Sequence, residues 1–499
     1  MSVSAIGAQS GLAIQQLVNM RKQFDDLQRQ LATGQKSANY AGLGVDSGMT
    51  VSLNAQLSAI SGYNDTINNA TTRINLMNSA LSSMTDLSSA VKAALAQVPT
   101  GANGNGATLA QQTGQSSLDQ LLALLNTQAG DRYLFSGRAT DQPAVETLDH
   151  ILNGDGARAG LKQLISERNQ ADLGASGLGR LVLSTPTATS LQVDEDAVSP
   201  FGFKLASVTS GLTNAVTAGP AGAPASLTVD LTAGNPNAGD TITFRFTLPD
   251  GSSENLTLTA TTSSSPGTNE FTIGATPAAT TTNLQTALTT ALGTLAATKL
   301  TAASAVTASN EFFAADASNP PQRVNGPPFD SATSQIAGTI ANSVIWYTGE
   351  AGGDPARSTA TARIDQSLVV SYGARANEDG IRTLVENFAT LAAVTISPSD
   401  PNATDLSAAL NQRLSANLTA PSTQTITDIQ ISLASAQTSI SAAKSRHQQT
   451  TATLSDFLQQ IQGVSNEEVG AQILALQTRM QASMQTTALL FQTSLVNYL

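Results

Sequence analysis

The chain has no cysteine, two histidines, one tryptophan (Trp346) and few charges. Without cysteine there is no disulfide, no thiolate nucleophile and no cysteine-based zinc site. The two histidines, His150 and His447, stand far apart in the sequence, so a paired-histidine metal site is not expected. Charged residues make up 12% of the chain, about half the usual share. The 24 Lys and Arg are scattered and outnumbered by 36 Asp and Glu, for a net charge of −12. Nucleic acid demands clustered cations against its phosphates, and an anionic membrane surface demands the same. Neither partner is expected. No run approaches the ~20 apolar residues of a membrane span. The opening "MSVSAIGAQSGLAIQQL" has no basic region ahead of a long apolar stretch, so a cleaved signal peptide is not expected either.

What is present is helical register. Hydrophobic residues are 40% of the 499, enough to build cores, and the length suggests about two to four domains. Leu17, Met20, Phe24, Leu27 and Leu31 recur at steps of 3, 4, 3 and 4, a heptad seam. After the glycine-rich "TGQKSANYAGLG" (33–44), a longer helix is expected over 49–98, with Ile60, Ile67, Ile74, Met77, Leu81 and Met84 in one register. At 1.5 Å per residue it would run ~75 Å, the length of a rod element. A third helix is expected over 107–129. On the far side, Ile429, Leu433, Ile440, Leu454, Phe457 and Ile461 keep one unbroken register across 426–464. The stretch "SNEE" then reads as a capping box, Ser465 with Glu468, opening a last helix. Along that helix Val469, Ile473, Leu476, Met480, Met484, Phe491, Leu495 and Tyr498 carry a second terminal seam into "ALLFQTSLVNYL".

The middle reads differently. "SLTVDLTAG" and "DTITFRFTLPDG" alternate apolar and polar residues, and "SENLTLTATT" returns after Pro-Asp-Gly, which predicts a hairpin. A strand at 270–274, a helix at 282–297 and a strand at 300–308 complete a small α+β unit. The fold expected is therefore mainly α. Both termini build a long antiparallel helical coiled-coil rod, and a β-rich α+β outer domain is inserted between them. Three regions follow: a terminal helical domain (1–45 and 466–499), a rod (46–195 and 326–465) and the insertion (196–325).

Reactive constellations are scarce. His447 lies on the long C-terminal seam and reads as a core or groove histidine, and His150 lacks a partner. "GDGARAG" (154–160) has the wrong glycine spacing for a dinucleotide site, and reads as a turn capping a helix. "VDEDA" (193–197) lacks calcium-loop spacing. No catalytic residue, metal ligand or cofactor is expected; association through the seams is.

Four segments carry a resemblance. "LQRQLATGQKSANYAGLG" (27–44) resembles the signature near the start of bacterial flagellins. "DRYLFSGRATDQPAV" (131–145) is similar to the hairpin after their third rod helix, and "SLVVSYGARANEDGIRTLVENFATLAAV" (367–394) to their return into the rod. "ALLFQTSLVNYL" resembles the apolar C-terminal helix of filament flagellins and of the related hook–filament junction protein. The segment "SANYAGLGVDSG" departs from the usual pattern after the signature. "MTDLSSAVKAALA" (84–96) lacks the arginine-rich pattern that an innate immune receptor recognises, so that recognition is not expected. The resemblance implies a structural, non-enzymatic subunit, exported through the hollow flagellum and extracellular, whose terminal helices are disordered in the free monomer and form an inner tube on assembly. Its implied partners are further copies of itself, hook, junction and cap proteins, the export apparatus and an export chaperone. Filament subunit is the expected role, the hook–filament junction protein its alternative, and a secreted adhesin with a coiled-coil stalk the remote one.

Overall fold

The computed structural model describes residues 2–97, 108–397 and 399–496, with side chains described over 11–97, 108–397 and 399–489. The helices are α1 (Ser2–Thr33), α2 (Ser47–Leu95), α3 (Leu109–Leu125), α4 (Leu148–Asn153), α5 (Leu161–Leu173), α6 (Pro277–Leu295), α7 (Thr301–Ala314), α8 (Asp379–Ala393), α9 (Ala403–Thr419), α10 (Ile426–Gln462) and α11 (Asn466–Val496). The first strands are β1 (Gln128–Ala129), β2 (Arg132–Tyr133), β3 (Leu181–Thr187), β4 (Ser190–Glu195), β5 (Lys204–Ser210), β6 (Val216–Ala221) and β7 (Ser226–Asp230). They are followed by β8 (Thr241–Thr247), β9 (Ser253–Thr261), β10 (Glu270–Thr272), β11 (Gln322–Val324), β12 (Gln335–Ala337), β13 (Thr361–Arg363) and β14 (Val369–Ser371).

The chain divides into two compact units. One comprises residues 1–71, 362–370 and 437–499; the other comprises 72–361 and 371–436. The first unit is helical and is taken up below with its surface. The second holds two four-stranded sheets, ordered β3-β4-β7-β6 and β10-β9-β8-β5. Strands β3 and β4 lie ahead of residue 196, so the sheets begin some way before the insertion expected from strand alternation. The expected hairpin is β8–β9, antiparallel, with Phe244 opposite Leu256 and Phe246 opposite Glu254. Its turn closes on Gly251, whose φ of +78° suits glycine, and the Gly251 N–H donates to Leu248 O at 2.9 Å. Alternation sends Ile242, Phe244 and Phe246 to the same face as Leu256 and Leu258, where they pack into one core with Leu284, Leu288 and Leu292 of α6.

The expected strand at 300–308 is instead the start of α7. Its Ala302, Ala303, Ala305 and Ala308 favour helix more than the scattered Val and Thr favour strand, and all four alanines are buried. A π-turn, Ala296–Leu300, joins it to α6 without a loop. Helix α6 itself starts with Thr276 accepting the Ala279 N–H and Pro277 in the first turn. Helix α3 starts with a complete capping box: Gln111 N–H to Thr108 Oγ1 at 3.2 Å, and Thr108 N–H to Gln111 Oε1 at 2.9 Å. It ends at Leu125 rather than 129, because Gln128–Ala129 already pairs with Arg132–Tyr133 across Gly130 (φ +69°).

The rod-register residues of this unit, Ile74, Met77, Leu81, Met84, Ile429 and Leu433, are each no more than 1% exposed. One carboxyl group here is poorly solvated. Glu386 of α8 lines a cleft of about 490 Å³ with Asn310, Thr383, Asn387 and Asn417. Burial pushes its carboxyl up from 4.5 to about 7, with Arg382 and Asn310 pulling the other way. The folded state therefore keeps a proton that the unfolded chain has lost over that interval. Stability falls as pH rises from about 4.5 to 7 and is level above. At pH 8, Glu386→Gln is expected to stabilise this unit by about 2–3 kcal/mol, with no gain at pH 4. Urea unfolding at the two pH values checks it; an equal effect at both would remove the assignment.

Candidate self-assembly surface

In the helical unit, α1 packs on α11, and the chain pins their meeting ends together. Gly34 closes α1 with φ +67°, its N–H on Gln30 O at 2.8 Å. From there the backbone pairs across to the α10–α11 turn: Lys36 N–H to Gln462 O at 2.7 Å and Val464 N–H to Gly34 O at 3.1 Å. Lys36 also reaches Gln460 O with its ammonium at 3.3 Å, a cation at the negative end of α10. Helix α1 runs into this stitch and α11 runs out of it, so the pair is antiparallel. The start of α11 is capped by Ser465, whose hydroxyl accepts the Glu468 N–H at 3.4 Å and donates to Glu467 at 2.6 Å. The Glu468 carboxylate accepts instead from Gln472 at 3.4 Å.

A second antiparallel contact lies between α2 and α10. His447 Nδ1 is 3.1 Å from Asn64 Oδ1, and Lys444 Nζ is 3.4 Å from Asn68 Oδ1. His447 is buried, leans on the Tyr63 ring at 5.9 Å between centroids, and turns Nε2 toward Asp365 Oδ2 at 3.7 Å. It is a packed histidine of the helical interior. Of the rod-register residues in this unit, Ile67, Ile440 and Leu454 are buried, and Ile60 and Ile461 are half-buried. Phe457 corrects the expectation of a buried ring, standing 44% exposed. A strict seven-residue repeat drifts about 20° per heptad on a straight helix, and near the end of α10 Phe457 is off the face that one chain covers.

The terminal seams are only partly covered. Val469 and Leu476 are buried, while Leu17, Met20, Phe24, Leu27, Ile473 and Met480 are half-buried. Leu31 and Met484 are exposed at 43% and 49%. Phe491 and Leu495 lie within α11, but their side chains are outside the described residues, as is Tyr498 altogether.

Seam reading misses a second set of apolar residues. Leu12, Ile14 and Val18 on α1 and Leu474 and Leu489 on α11 are exposed, Leu474 at 66%. At 3.6 residues per turn, Ile14, Val18 and Leu474 lie roughly 120° around their helices from the seam centres. The segment between α1 and α2 adds Tyr40, Val45, Met49 and Val51, with Val45 98% exposed beside Gly44 (φ +58°). Their signal in the sequence is faint: apolar residues off the heptad on helices that are short of charge. Helices with apolar residues this far around the circumference are suited to being surrounded. The cluster chemistry is otherwise inert, and no group of three His, Asp or Glu among the described residues could hold a metal. No helix among them is long and apolar enough to cross a membrane.

The stitch makes a specific demand on Gly34. No atom crowds the place where a Cβ would stand, so Gly34→Ala should act through backbone strain alone, about 1 kcal/mol. The expected result is faster amide exchange at residues 34–36 and 462–464, with the helix content unchanged. Unchanged exchange there would mean that the left-handed turn is not needed.

Residues 8–140 match the family model described as the bacterial flagellin N-terminal helical region. The match begins in α1, takes in the stitch residues 34–36, α2 and α3, and ends just past the β1–β2 hairpin. No curated protein matches the chain. The chain therefore carries a bacterial flagellin N-terminal helical region over residues 8–140.

Proposed function

We propose that the chain is a structural subunit of the bacterial flagellum that polymerises into the extracellular filament through α1 and α11. The observation carrying this reading is the apolar set off the seam: Leu12, Ile14, Val18, Leu474 and Leu489. A fully buried Leu or Ile contributes ~1.5–3 kcal/mol, so five that are roughly half exposed supply about 4–8. Association costs at least ~4 kcal/mol in lost freedom. The off-seam residues alone sit near that threshold, so the half-buried seam must close further for polymerisation to proceed. Heterologous contacts whose rotation does not close into a ring extend as a helical polymer.

In this reading residues 1–45 and 466–499 form the inner tube, 46–195 and 326–465 the rod, and 196–325 the outer domain. Further copies of the chain are the main partner. Hook, junction and cap proteins, the export apparatus and an export chaperone follow from the family role. The segment "YLFSG" (133–137) and the ending "NYL" are the features that favour the hook–filament junction alternative. Within this fold Leu134 and Phe135 are buried, and Ser136 donates to Gln142 O at 2.8 Å, a packing role that either subunit could share. The sheets β3–β10 favour a subunit that carries an outer domain.

Leu474→Asp and Val18→Asp test this reading because neither side chain is buried in the single chain. Both variants should keep the circular dichroism spectrum and melting temperature of the unmodified protein within about 0.5 kcal/mol of stability. Both should fail to form tubes by electron microscopy when seeded. Tubes of normal length from both variants would contradict it.

A further inference from the structure

The arginines of this acidic chain are mostly committed. Arg138 pairs with Glu350 and Asp354, Arg168 with Asp172 and Glu311, Arg357 with Glu378, and Arg413 with Asp250 and Glu254. Arg73 of α2 and Arg132 of β2 are not. They line one small pocket together with Tyr133, Thr140, Thr359 and Tyr372, and no carboxylate lines it. Arg73 Nη1 donates to Tyr372 Oη at 3.2 Å, which leaves the phenol proton free to donate onward. Arg132 is exposed, and its guanidinium has no hydrogen bond or ion pair among the described residues. Thr359 already donates its hydroxyl to Ala356 O at 2.7 Å, but two guanidinium groups and the hydroxyls of Tyr133, Thr140 and Tyr372 around one hollow make a site for an anion. Glu350 and Asp354 lie near by, and both are held by Arg138.

Size selects among anions. The pocket holds about 30 Å³, room for roughly two or three water-sized groups. A carboxylate has three heavy atoms; a phosphate or sulfate has five. Each copy carries 36 acidic residues against 24 basic ones, so a neighbouring copy presents surplus carboxylates to an open, donor-lined hollow. We propose that the Arg73–Arg132 pocket receives an Asp or Glu side chain from a second copy of the chain, as a lateral ion-pair contact of the polymer. This rests on the self-assembly reading above. It places an electrostatic, salt-sensitive contact in the sheet-bearing unit, apart from the apolar contacts of α1 and α11.

The experiment uses the full chain and Arg132→Gln, which removes an unpaired exposed cation and leaves the Arg73–Tyr372 bond intact. At low salt the variant should need about tenfold more protein to polymerise, and the gap should close in 1 M NaCl. A second variant, Arg132→Lys, puts a reactive amine at the same position. In a polymer of mixed ¹⁴N- and ¹⁵N-labelled Arg132→Lys chains, a zero-length carbodiimide should couple that amine to a carboxylate of the other isotope. Identical polymerisation of Arg132→Gln at all salt concentrations overturns the proposal, as does coupling of the new amine only within its own chain, for example to Asp131 or Asp141. So does a sulfate-dependent rise in the monomer's Tm that Arg132→Gln abolishes without affecting polymerisation, the signature of a free anion. Failure of the unmodified chain to polymerise overturns the self-assembly reading itself, and the pocket's occupant with it.

Discussion

A helix has a full circumference, and one neighbour covers only an arc of it. Much of this molecule follows from that constraint acting on α1 and α11. Each packs on the other with its heptad seam only partly covered, and leaves further apolar residues in water. The stitch at Gly34–Lys36 and Gln462–Val464 sets where the pair begins, so the exposed strips hold a fixed register relative to each other. Order at one end is combined with incomplete burial along the length. A chain built this way is ordered where the two helices meet and leaves apolar surface along their length.

The sheet-bearing unit follows a different rule. Its core closes within the chain: the faces of β8 and β9 pack on α6, and buried arginines are matched by carboxylates, while Val198, Val216, Ile340 and Ile431 stand exposed at its surface. Nothing in its core asks for a second molecule. Its openings are polar instead, the Glu386 cleft and the Arg73–Arg132 pocket. Apolar burial is strong and non-directional, so it suits the bulk of an assembly interface; a charged contact adds less energy and more orientation.

Where local signals were strong, the sequence could be read closely. The expected helix over 426–464 is Ile426–Gln462, because heptad spacing and the Gly463–Ser465 break act at short range. The β8–β9 hairpin was legible from alternation and its Pro-Asp-Gly turn. The stretch 300–308 was not, because a short apolar run does not distinguish strand from helix by period, and alanine propensity with the π-turn settled it. Phe457 fits the heptad yet stands exposed, since register says which residues share a face and not whether a neighbour covers it. Ile14, Val18 and Leu474 escaped for the complementary reason: a search for one seam ignores the other side of the helix. The Arg73–Arg132 pocket joins residues 59 positions apart with others near 360–374, a juxtaposition only the tertiary fold supplies.

The central claim is that the exposed faces of α1 and α11 are completed by other copies of the chain. Hydrogen–deuterium exchange on the monomer and on the seeded polymer measures this directly. The account predicts that amides of residues 11–33 and 466–489 slow by about a hundredfold or more on polymerisation, while those of β8 and β9, already protected, change little. Equal exchange of α1 and α11 in the two states would contradict it.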